Sequence, residues 1–515
     1  MSTAAALPIP RVGNALAPLD RALGRVTMYR LVLLLLAALA VVALIMSVTD
    51  TLFYAPTEML ASAAVLLGVS YGANRLIAPL FRVQPHAESA LITGLLLFFI
   101  FWPSSETGEL LHLAAAALAA TLSKYVIAWR GRHLLNPAAA GALLVGVLEL
   151  TTSGWWVGGK ELLPYVVVAG LLVLYRTRRL TLAAVFVVVA VAVRVLDSSQ
   201  STGDAITATI ESGPVLFFAA FMLTEPLTLP ARRWQQLGVA VVVGVLFALA
   251  YEVGPFVSTP ELALIVGNLV AFALVRRTGV RLRLRERRPL GPTTAEYVFE
   301  PVRPVRFAPG QYAELAVPHA RADRRGVRRS FTIASAPGDG TVAFGIREAP
   351  EKGSSYKREL AGLQPGNVLT ATTVAGDFVL PDRDERPELL VAGGIGVTPF
   401  VSRLRADGAG RTGSGRDAVL VYGVTPGEGI PYRDELAASG VPVVLVAPDA
   451  PADLPDGWSH VAADRITDDV LRHAVPDLKA RRAWVSGPPA MVDAVRSTLH
   501  ALGVRRVRTD HFAGY

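Results

Sequence analysis

The chain has 515 residues, of which 52% are hydrophobic and only 18% charged, and it contains no cysteine. That length has room for roughly two to four ordinary domains, and the missing thiols exclude disulfides, thiolate-bound zinc and cysteine-ligated iron–sulfur clusters from this polypeptide. A formal net charge of +8 does not mark a nucleic-acid binder, because many of the arginines flank apolar runs, where they set membrane orientation.

The apolar residues are unevenly spread. From about Tyr29 to Val275 the sequence is a series of long apolar runs, at 31–48, 58–81, 88–103, 108–129, 135–150, 162–176, 180–196, 213–225, 234–252 and 260–276. The expectation is a polytopic α-helical membrane domain over residues 1–280 with about ten transmembrane helices. Several runs fall short of the ~20 residues that cross a bilayer upright. Those are expected as broken or half-inserted helices lining a cavity inside the protein. Arg11, Arg21, Arg25 and Arg30 make a basic leader that is long for a signal peptide, and no small-residue cleavage site follows, so none is expected.

Basic residues recur at every second boundary: Arg75/Arg82, Lys124/Arg130/Arg132, Arg176/Arg178/Arg179, Arg232/Arg233 and Arg276–Arg288. The intervening loops hold a single Lys160 and several acids. By the positive-inside rule the chain is expected as a multi-pass protein of the cell membrane with both termini cytoplasmic.

Three stretches in this half carry a resemblance. Ser89-Ala90-Leu91-Ile92-Thr93-Gly94-Leu95 leads to Trp102-Pro103; Lys124 precedes Leu135-Asn136-Pro137-Ala138-Ala139-Ala140-Gly141; and Phe221-Met222-Leu223-Thr224-Glu225-Pro226-Leu227-Thr228 follows. In this order they resemble the NqrB/RnfD family of electron-transport membrane subunits, which usually has Asp where Glu225 stands. The resemblance implies FMN attached to a threonine, with riboflavin nearby, and other electron-transport subunits as partners. The outward stretch Ser201-Thr202-Gly203-Asp204-Ala205-Ile206-Thr207-Ala208-Thr209 offers Thr209, or second to it Thr207, as the attachment point. It lacks the family's glycine, and its hydroxyls equally read as an ordinary polar loop. Lys124, Asn136 and Glu225 are candidates for lining a flavin or quinone cavity. Against that, Asn136-Pro137 can simply start a helix and Lys124 can snorkel.

From Arg276 onward Gly, Pro and charge return. Residues 281–383 read as short alternating strands of an antiparallel β-barrel. A linker follows at Asp382–Pro387, and residues 387–515 alternate apolar strands with helices, as in an α/β doubly wound sheet. In the barrel, Arg329 in Arg329-Ser330-Phe331-Thr332 offers a fork of donors suited to a flavin phosphate. Phe331 is placed to stack on an isoalloxazine, and Thr332 to bond near its reactive edge. Gly353-Ser354-Ser355 opens a helix whose N–H groups suit a pyrophosphate. In the second half, Gly393-Gly394-Ile395-Gly396-Val397-Thr398-Pro399 turns a strand into a helix, as dinucleotide sites require.

Together these residues resemble the ferredoxin–NADP reductase superfamily over nearly all of 281–515, which implies FAD and a pyridine nucleotide as cofactors. Ser486-Gly487-Pro488-Pro489 is similar to the family's Cys-Gly-Pro-Pro turn beside the nicotinamide, with Ser486 in place of cysteine. The resemblance implies catalytic roles for Thr332 and Ser486. It also implies a C-terminal aromatic against the flavin, Phe512 or Tyr515. Asp449, after the strand Val443–Val446, is an acid suited to a ribose hydroxyl, which favours NADH over NADPH.

The expected function is thus hydride transfer from NAD(P)H to FAD, with electrons passing on to a membrane-domain flavin or quinone. The alternative is reduction of a separate soluble redox protein, with the apolar half as anchor or assembly surface. A transmembrane haem reductase is disfavoured, since two stacked haems need four histidines and the apolar half has only His86, His112 and His133. No metal site is expected.

Overall fold

The computed structural model describes residues 23, 26–81, 85–129, 132–211, 213–230, 232–254, 256–274, 280–319, 323, 327–348, 354–381, 386–408 and 417–512. It divides into two compact units, one over Leu19–Arg276 and one holding the C-terminal residues from Arg277. Gly353, Tyr515 and most of the linker at 382–387 lie outside the described residues.

In the first unit every one of the ten apolar runs carries a helix: α1 Met28–Val48, α2 Pro56–Ile77, α3 Ala87–Ile100, α4 Thr107–Val126, α5 Pro137–Val147, α6 Leu163–Thr177, α7 Leu180–Asp197, a short segment Val215–Phe217 that runs into a π-helical turn Phe218–Met222, α9 Arg233–Ala248 and α10 Pro260–Leu274. Local chemistry sets their starts. Thr27 accepts from Arg30 N at 3.3 Å, and Pro56 takes a first-turn position where its missing N–H costs nothing. Asn136 caps α5 by accepting from Ala139 N at 3.1 Å, ahead of Pro137. Packing between helices uses small residues. A Cβ on Gly141 of α5 would sit 2.5 Å from the Ala116 carbonyl of α4, so only glycine allows that approach.

Three helices are long and apolar enough to cross a membrane by length and composition: Met28–Val48, Pro56–Phe81 and Leu180–Asp197. α3, α5, α6, α9 and α10 are apolar but shorter, so helix length does not by itself carry the expected ten spans.

One expectation is corrected. Residues 201–209, read as a polar loop, form α8 (Thr202–Glu211). Ser201 accepts from Asp204 N at 3.2 Å and donates to the Asp204 carboxylate at 2.7 Å, an N-terminal cap that outweighs the turn-forming tendency of the Ser/Thr/Gly cluster. α8 and the helical segment that follows meet at 59°.

In the second unit six antiparallel strands form the first sheet: β1 Val280–Gly291, β2 Thr294–Pro301, β3 Tyr312–Ala316, β4 Arg328–Thr332, β5 Val342–Arg347 and β6 Val368–Ala375. Their order is β4-β3-β6-β1-β2-β5. A bridge between Ile333 and Phe344 joins the two edges and closes the barrel. Period-two patterning explains β1, where Leu282 and Leu284 are buried and Arg281, Arg283 and Arg285 exposed. The helix α11 (Ser355–Ala361) lies between β5 and β6 in the chain.

The second sheet is wholly parallel, ordered β10-β9-β8-β7-β11-β12. Its strands are β7 Glu388–Gly393, β8 Ala418–Gly423, β9 Val443–Ala447, β10 Trp458–Ala462, β11 Arg482–Gly487 and β12 Val507–His511. Four of them, β7, β8, β9 and β11, are almost entirely buried, as parallel strands covered on both faces must be. The chain leaves β7 in one direction and returns to its other side at β11. That reversal opens a crevice at the carboxyl ends of these two strands. α12 (Thr398–Gly408) follows β7, and its Arg405 joins the two domains by binding Glu296 of β2 at 2.7 Å and Glu435 at 2.8 Å.

Candidate functional site

A cavity of about 1300 Å³ lies between the barrel and the parallel sheet. One wall comes from the barrel. Arg329, Ser330, Phe331 and Thr332 of β4 all line it, with Tyr312 of β3, Arg347 of β5, Ser354 and Lys357. The opposite wall is the β7 turn, Gly393 to Gly396, and the Pro488 turn after β11. The two motif sets that the sequence separates by more than sixty positions therefore face one space.

Each barrel residue is held from behind. The Arg329 guanidinium lies 5.0 Å from the centroid of the Tyr356 ring, donates to the Arg328 carbonyl at 2.6 Å and sits 3.7 Å from Asp323. It is 6% exposed, so its charge is fixed in direction and only partly hydrated. Phe331 packs against Tyr356 at 6.0 Å and Phe344 at 6.5 Å. Ser354 caps α11 by accepting from Lys357 N at 3.4 Å. With Lys357 beside it, this corner presents two cations and a hydroxyl, a donor set suited to a phosphate.

The turn after β7 is dictated by contact. A Cβ on Gly396 would lie 2.6 Å from Gly487 Cα and from the Ser486 carbonyl, so the two turns approach to a distance only glycine permits. Gly394 has φ +53°, with nothing within 4 Å of where a Cβ would point. That open space on a cavity wall is a cradle into which a dinucleotide backbone fits. At the far wall Phe512 N donates to the Gly487 carbonyl at 2.8 Å, and Phe512 lines the cavity.

Several expected residues stand elsewhere. Thr398 and Pro399 are buried in the first turn of α12, where the Thr398 hydroxyl donates to the Ile395 carbonyl at 3.1 Å; they shape the turn without lining the cavity. Ser355 faces away, its hydroxyl accepting from Asp323 N at 2.8 Å and bonded to His319 Nε2 at 2.9 Å. Ser486 is fully buried behind the Gly487–Pro488 turn, with no hydrogen-bond partner for its hydroxyl among the described residues. It does not line the cavity, so its assignment as a catalytic side chain is replaced by a role in packing the turn. Asp449 is exposed and off the wall. β9 continues to Ala447, whose carbonyl is held by His460 at 2.9 Å, and the chain turns outward there.

The sequence reading passed over Arg347, Lys357, Asp464, Arg465, Met491 and Asp510, all on the cavity wall. Arg347 is ion-paired with Glu428. Arg465 is a basic residue on this wall, whereas Asp449, the acid from which the preference for NADH was drawn, is not on it. Asp510, two residues before Phe512, is an acid on this wall whose titration burial shifts. Burial raises its carboxyl to about 6, against a smaller opposing hydrogen bond from the His511 backbone. Its neighbour His511 bonds Asp493 at 3.1 Å.

The helical unit holds a polar cluster of its own. Glu225 bonds His133 at 2.7 Å and accepts from Asn136 Nδ2 at 2.9 Å, while Asn136 N donates to Asn268 at 2.7 Å. Lys124 donates to the Ser89 carbonyl at 3.0 Å and hydroxyl at 3.3 Å. Asn136 thus serves both readings at once, capping α5 and joining the cluster. A π-helical turn, a form common at functional sites, ends three residues before Glu225. Thr209 is 8% exposed, its hydroxyl donating to the Ala205 carbonyl at 2.7 Å within α8. The three histidines are separately engaged: His133 with Glu225, His86 as the cap accepting from Ser89 N at 3.2 Å, and His112 at 3.8 Å from Glu109. Among the described residues no group of three or more His, Asp or Glu is placed to hold a metal ion.

Barrel, parallel sheet and cavity together define a ferredoxin-reductase-like pair of domains, the first suited to FAD and the second to a pyridine nucleotide. Residues 390–497 match the family model described as the oxidoreductase NAD-binding domain. The chain is 32% identical over 226 residues to the propane 2-monooxygenase reductase component of Mycolicibacterium goodii, covering 41% of this chain and 62% of that protein. It is 36% identical over 158 residues to ferredoxin–NADP reductase B of Sorangium cellulosum, covering 30% of this chain and 62% of that protein. Among solved structures, an Amycolatopsis cytochrome P450 reductase matches at 26% identity and a TM-score of 0.38, over 46% of this chain and 70% of that one. The chain spans about 62% of the length of these two curated relatives.

Proposed function

We propose that the chain is an NAD(P)H-dependent FAD oxidoreductase whose C-terminal unit accepts hydride and whose apolar unit is a membrane domain that receives the electrons. The observation that carries this reading is the shared cavity, with the Arg329–Thr332 strand on one wall and the Gly393–Gly396 turn on the other. FAD, when bound, supplies the two-electron chemistry and its onward division into single electrons. The protein's residues do the rest. Arg329, Lys357 and Ser354 hold phosphate, Phe331 and Phe512 supply aromatic faces, and Thr332 offers a hydroxyl at the cavity wall. The two glycine turns admit the nucleotide to near-attack distance, which is the main catalytic contribution.

Asp510 adds a charge that depends on pH. Its carboxyl, raised to about 6, is neutral below that value and ionised above it. The ionised form stabilises the positive charge that develops on a nicotinamide giving up hydride. The rate of reductive hydride transfer is therefore expected to rise with pH through about 6 and level off, whereas Asp510→Asn gives a profile flat across that range. A wild-type profile without this limb, measured by stopped flow under saturating nucleotide, refutes the assignment.

Arg465 supports use of NADPH alongside NADH. Arg465→Ala is expected to lower the NADPH-to-NADH ratio of kcat/KM about ten-fold, the loss of one charge-assisted hydrogen bond. An unchanged ratio places the 2′-phosphate elsewhere.

The finer reading places both termini in the cytoplasm, with the helical unit crossing the cell membrane in about ten segments and resembling NqrB/RnfD subunits. The shorter helices then act as broken spans around the cluster of Lys124, His133, Asn136, Glu225 and Asn268. Quinone or a membrane flavin is the acceptor there, and Thr209 is the proposed FMN attachment point. Purification in detergent tests this, with flavin type per chain, fluorescence on a denaturing gel and NADH:quinone turnover as readouts. Soluble chain without flavin refutes the whole reading. FAD without quinone turnover favours the second one, transfer to a separate soluble redox protein. That alternative draws on the relatives, one of them named as the reductase component of a monooxygenase.

A further inference from the structure

We propose that the outward face at the start of the barrel is a docking surface for anionic lipid headgroups. Three arginines make it: Arg281, Arg283 and Arg285. The proposal rests on the membrane reading of the helical unit and adds to it a second, electrostatic attachment. Along β1 the side chains at 281, 283 and 285 are exposed while Leu282 and Leu284 enter the barrel core. Val302 N donates to the Arg281 carbonyl at 2.9 Å, which sets Val302 beside Arg281 on that face. All three arginines are exposed, and among the described residues none lies within 4.0 Å of a carboxylate, although Arg285 is close enough to Glu286 to attract it. The neighbouring acids are Glu300, opposite Arg283 on β2, and Glu286, which is bound by Arg288 at 2.5 Å. Two exposed apolar side chains, Val302 at 54% and Val368 at 39%, interrupt the charge. Val368 pairs with Arg283 in the sheet register.

Chain connectivity selects lipid over an acidic soluble protein. The last apolar helix ends at Leu274 and β1 begins at Val280. Those few residues reach at most ~20 Å, so a chain leaving the proposed membrane at α10 tethers these arginines within reach of its headgroups. Direct contact carries the binding, because exposed charges beyond one Debye length are largely screened. Guanidinium groups bind phosphate through two parallel hydrogen bonds, and valines among cations suit the headgroup boundary. The surface carries no role in the cavity and none in nucleotide binding.

The test is arginine footprinting with phenylglyoxal on the full-length holoprotein in nanodiscs of phosphatidylcholine alone or with phosphatidylglycerol. Labelling of Arg281, Arg283 and Arg285 is expected to fall about five-fold or more in anionic discs. It should recover in 0.5 M salt, where the screening length is only ~4 Å. Arg472, in the nucleotide domain, serves as internal control. The triple variant R281E/R283E/R285E is expected to keep the NADH:ferricyanide rate and to lose binding of the C-terminal unit to anionic surface, read as equal protease sensitivity in both discs. Labelling insensitive to lipid charge in chain that has entered the discs overturns this proposal alone, and protection by an added acidic ferredoxin in zwitterionic discs would replace it with a protein partner. Failure to enter discs of either kind overturns the membrane reading together with it.

Discussion

Replacing Arg329 by alanine is expected to yield a folded but colourless protein. The side chain is 6% exposed on the cavity wall, lies over the Tyr356 ring and is within 3.7 Å of Asp323. Its removal takes the one rigid fork of donors from the phosphate corner and leaves the Asp323 carboxylate facing the space. Truncating one partner of a buried charge-assisted contact costs about 2–5 kcal/mol, or roughly 30- to 5000-fold in FAD affinity. Arg329→Lys restores the charge without the planar fork, and so falls between the two. Equilibrium dialysis of FAD against the three proteins measures this. An alanine variant that purifies yellow, with FAD at one per chain after extensive dialysis, would remove Arg329 from the site and with it the assignment of the barrel wall.

The second large effect is expected at Gly396. A methyl group there meets the Gly487 Cα and the Ser486 carbonyl at 2.6 Å, and both are backbone atoms that cannot rotate away. Gly396→Ala must push apart the two turns that admit the nucleotide, a strain of about 1–3 kcal/mol. The consequence is a KM for NAD(P)H raised at least ten-fold with FAD still bound, since the barrel is untouched. Gly394→Ala is the informative companion. Its methyl points into open cavity, so it clashes with nothing in the protein and strains only the left-handed backbone, by ~1 kcal/mol. Melting temperature should therefore drop for Gly396→Ala more than for Gly394→Ala, while both raise KM. If Gly396→Ala keeps the wild-type KM, the nucleotide does not enter between these turns.

Much of the fold was legible because its signals are local. Periodic burial along β1, the glycine turn between β7 and α12, and Asn136-Pro137 at the head of α5 are each settled within a few residues of chain. The stretch 201–211 shows the limit of that reasoning. Its composition suggests a loop, yet Ser201 and Asp204 stand at capping-box spacing, a signal that was present and outweighed. Helix length is a second limit. Of the ten apolar runs, several already too short on paper to span, three become helices both long and apolar enough to cross a membrane, because caps and glycine contacts end helices where hydropathy alone does not.

By itself, the sequence determined the order of elements, the boundary near Arg276 and the pairing of an Arg-x-Phe-Thr strand with a glycine-rich turn, since these follow from short-range sterics and side-chain periodicity. Only the tertiary structure decided which polar groups meet. Asp464, Arg465 and Asp510 reach the cavity, whereas Asp449, Ser355 and Ser486 do not. Where a side chain at the end of a strand points depends on register with strands far away in the chain: Ser486 lies between Ala392 and Asp510 and is enclosed by both neighbours. No pattern within one segment encodes that enclosure, because it is made by three segments at once.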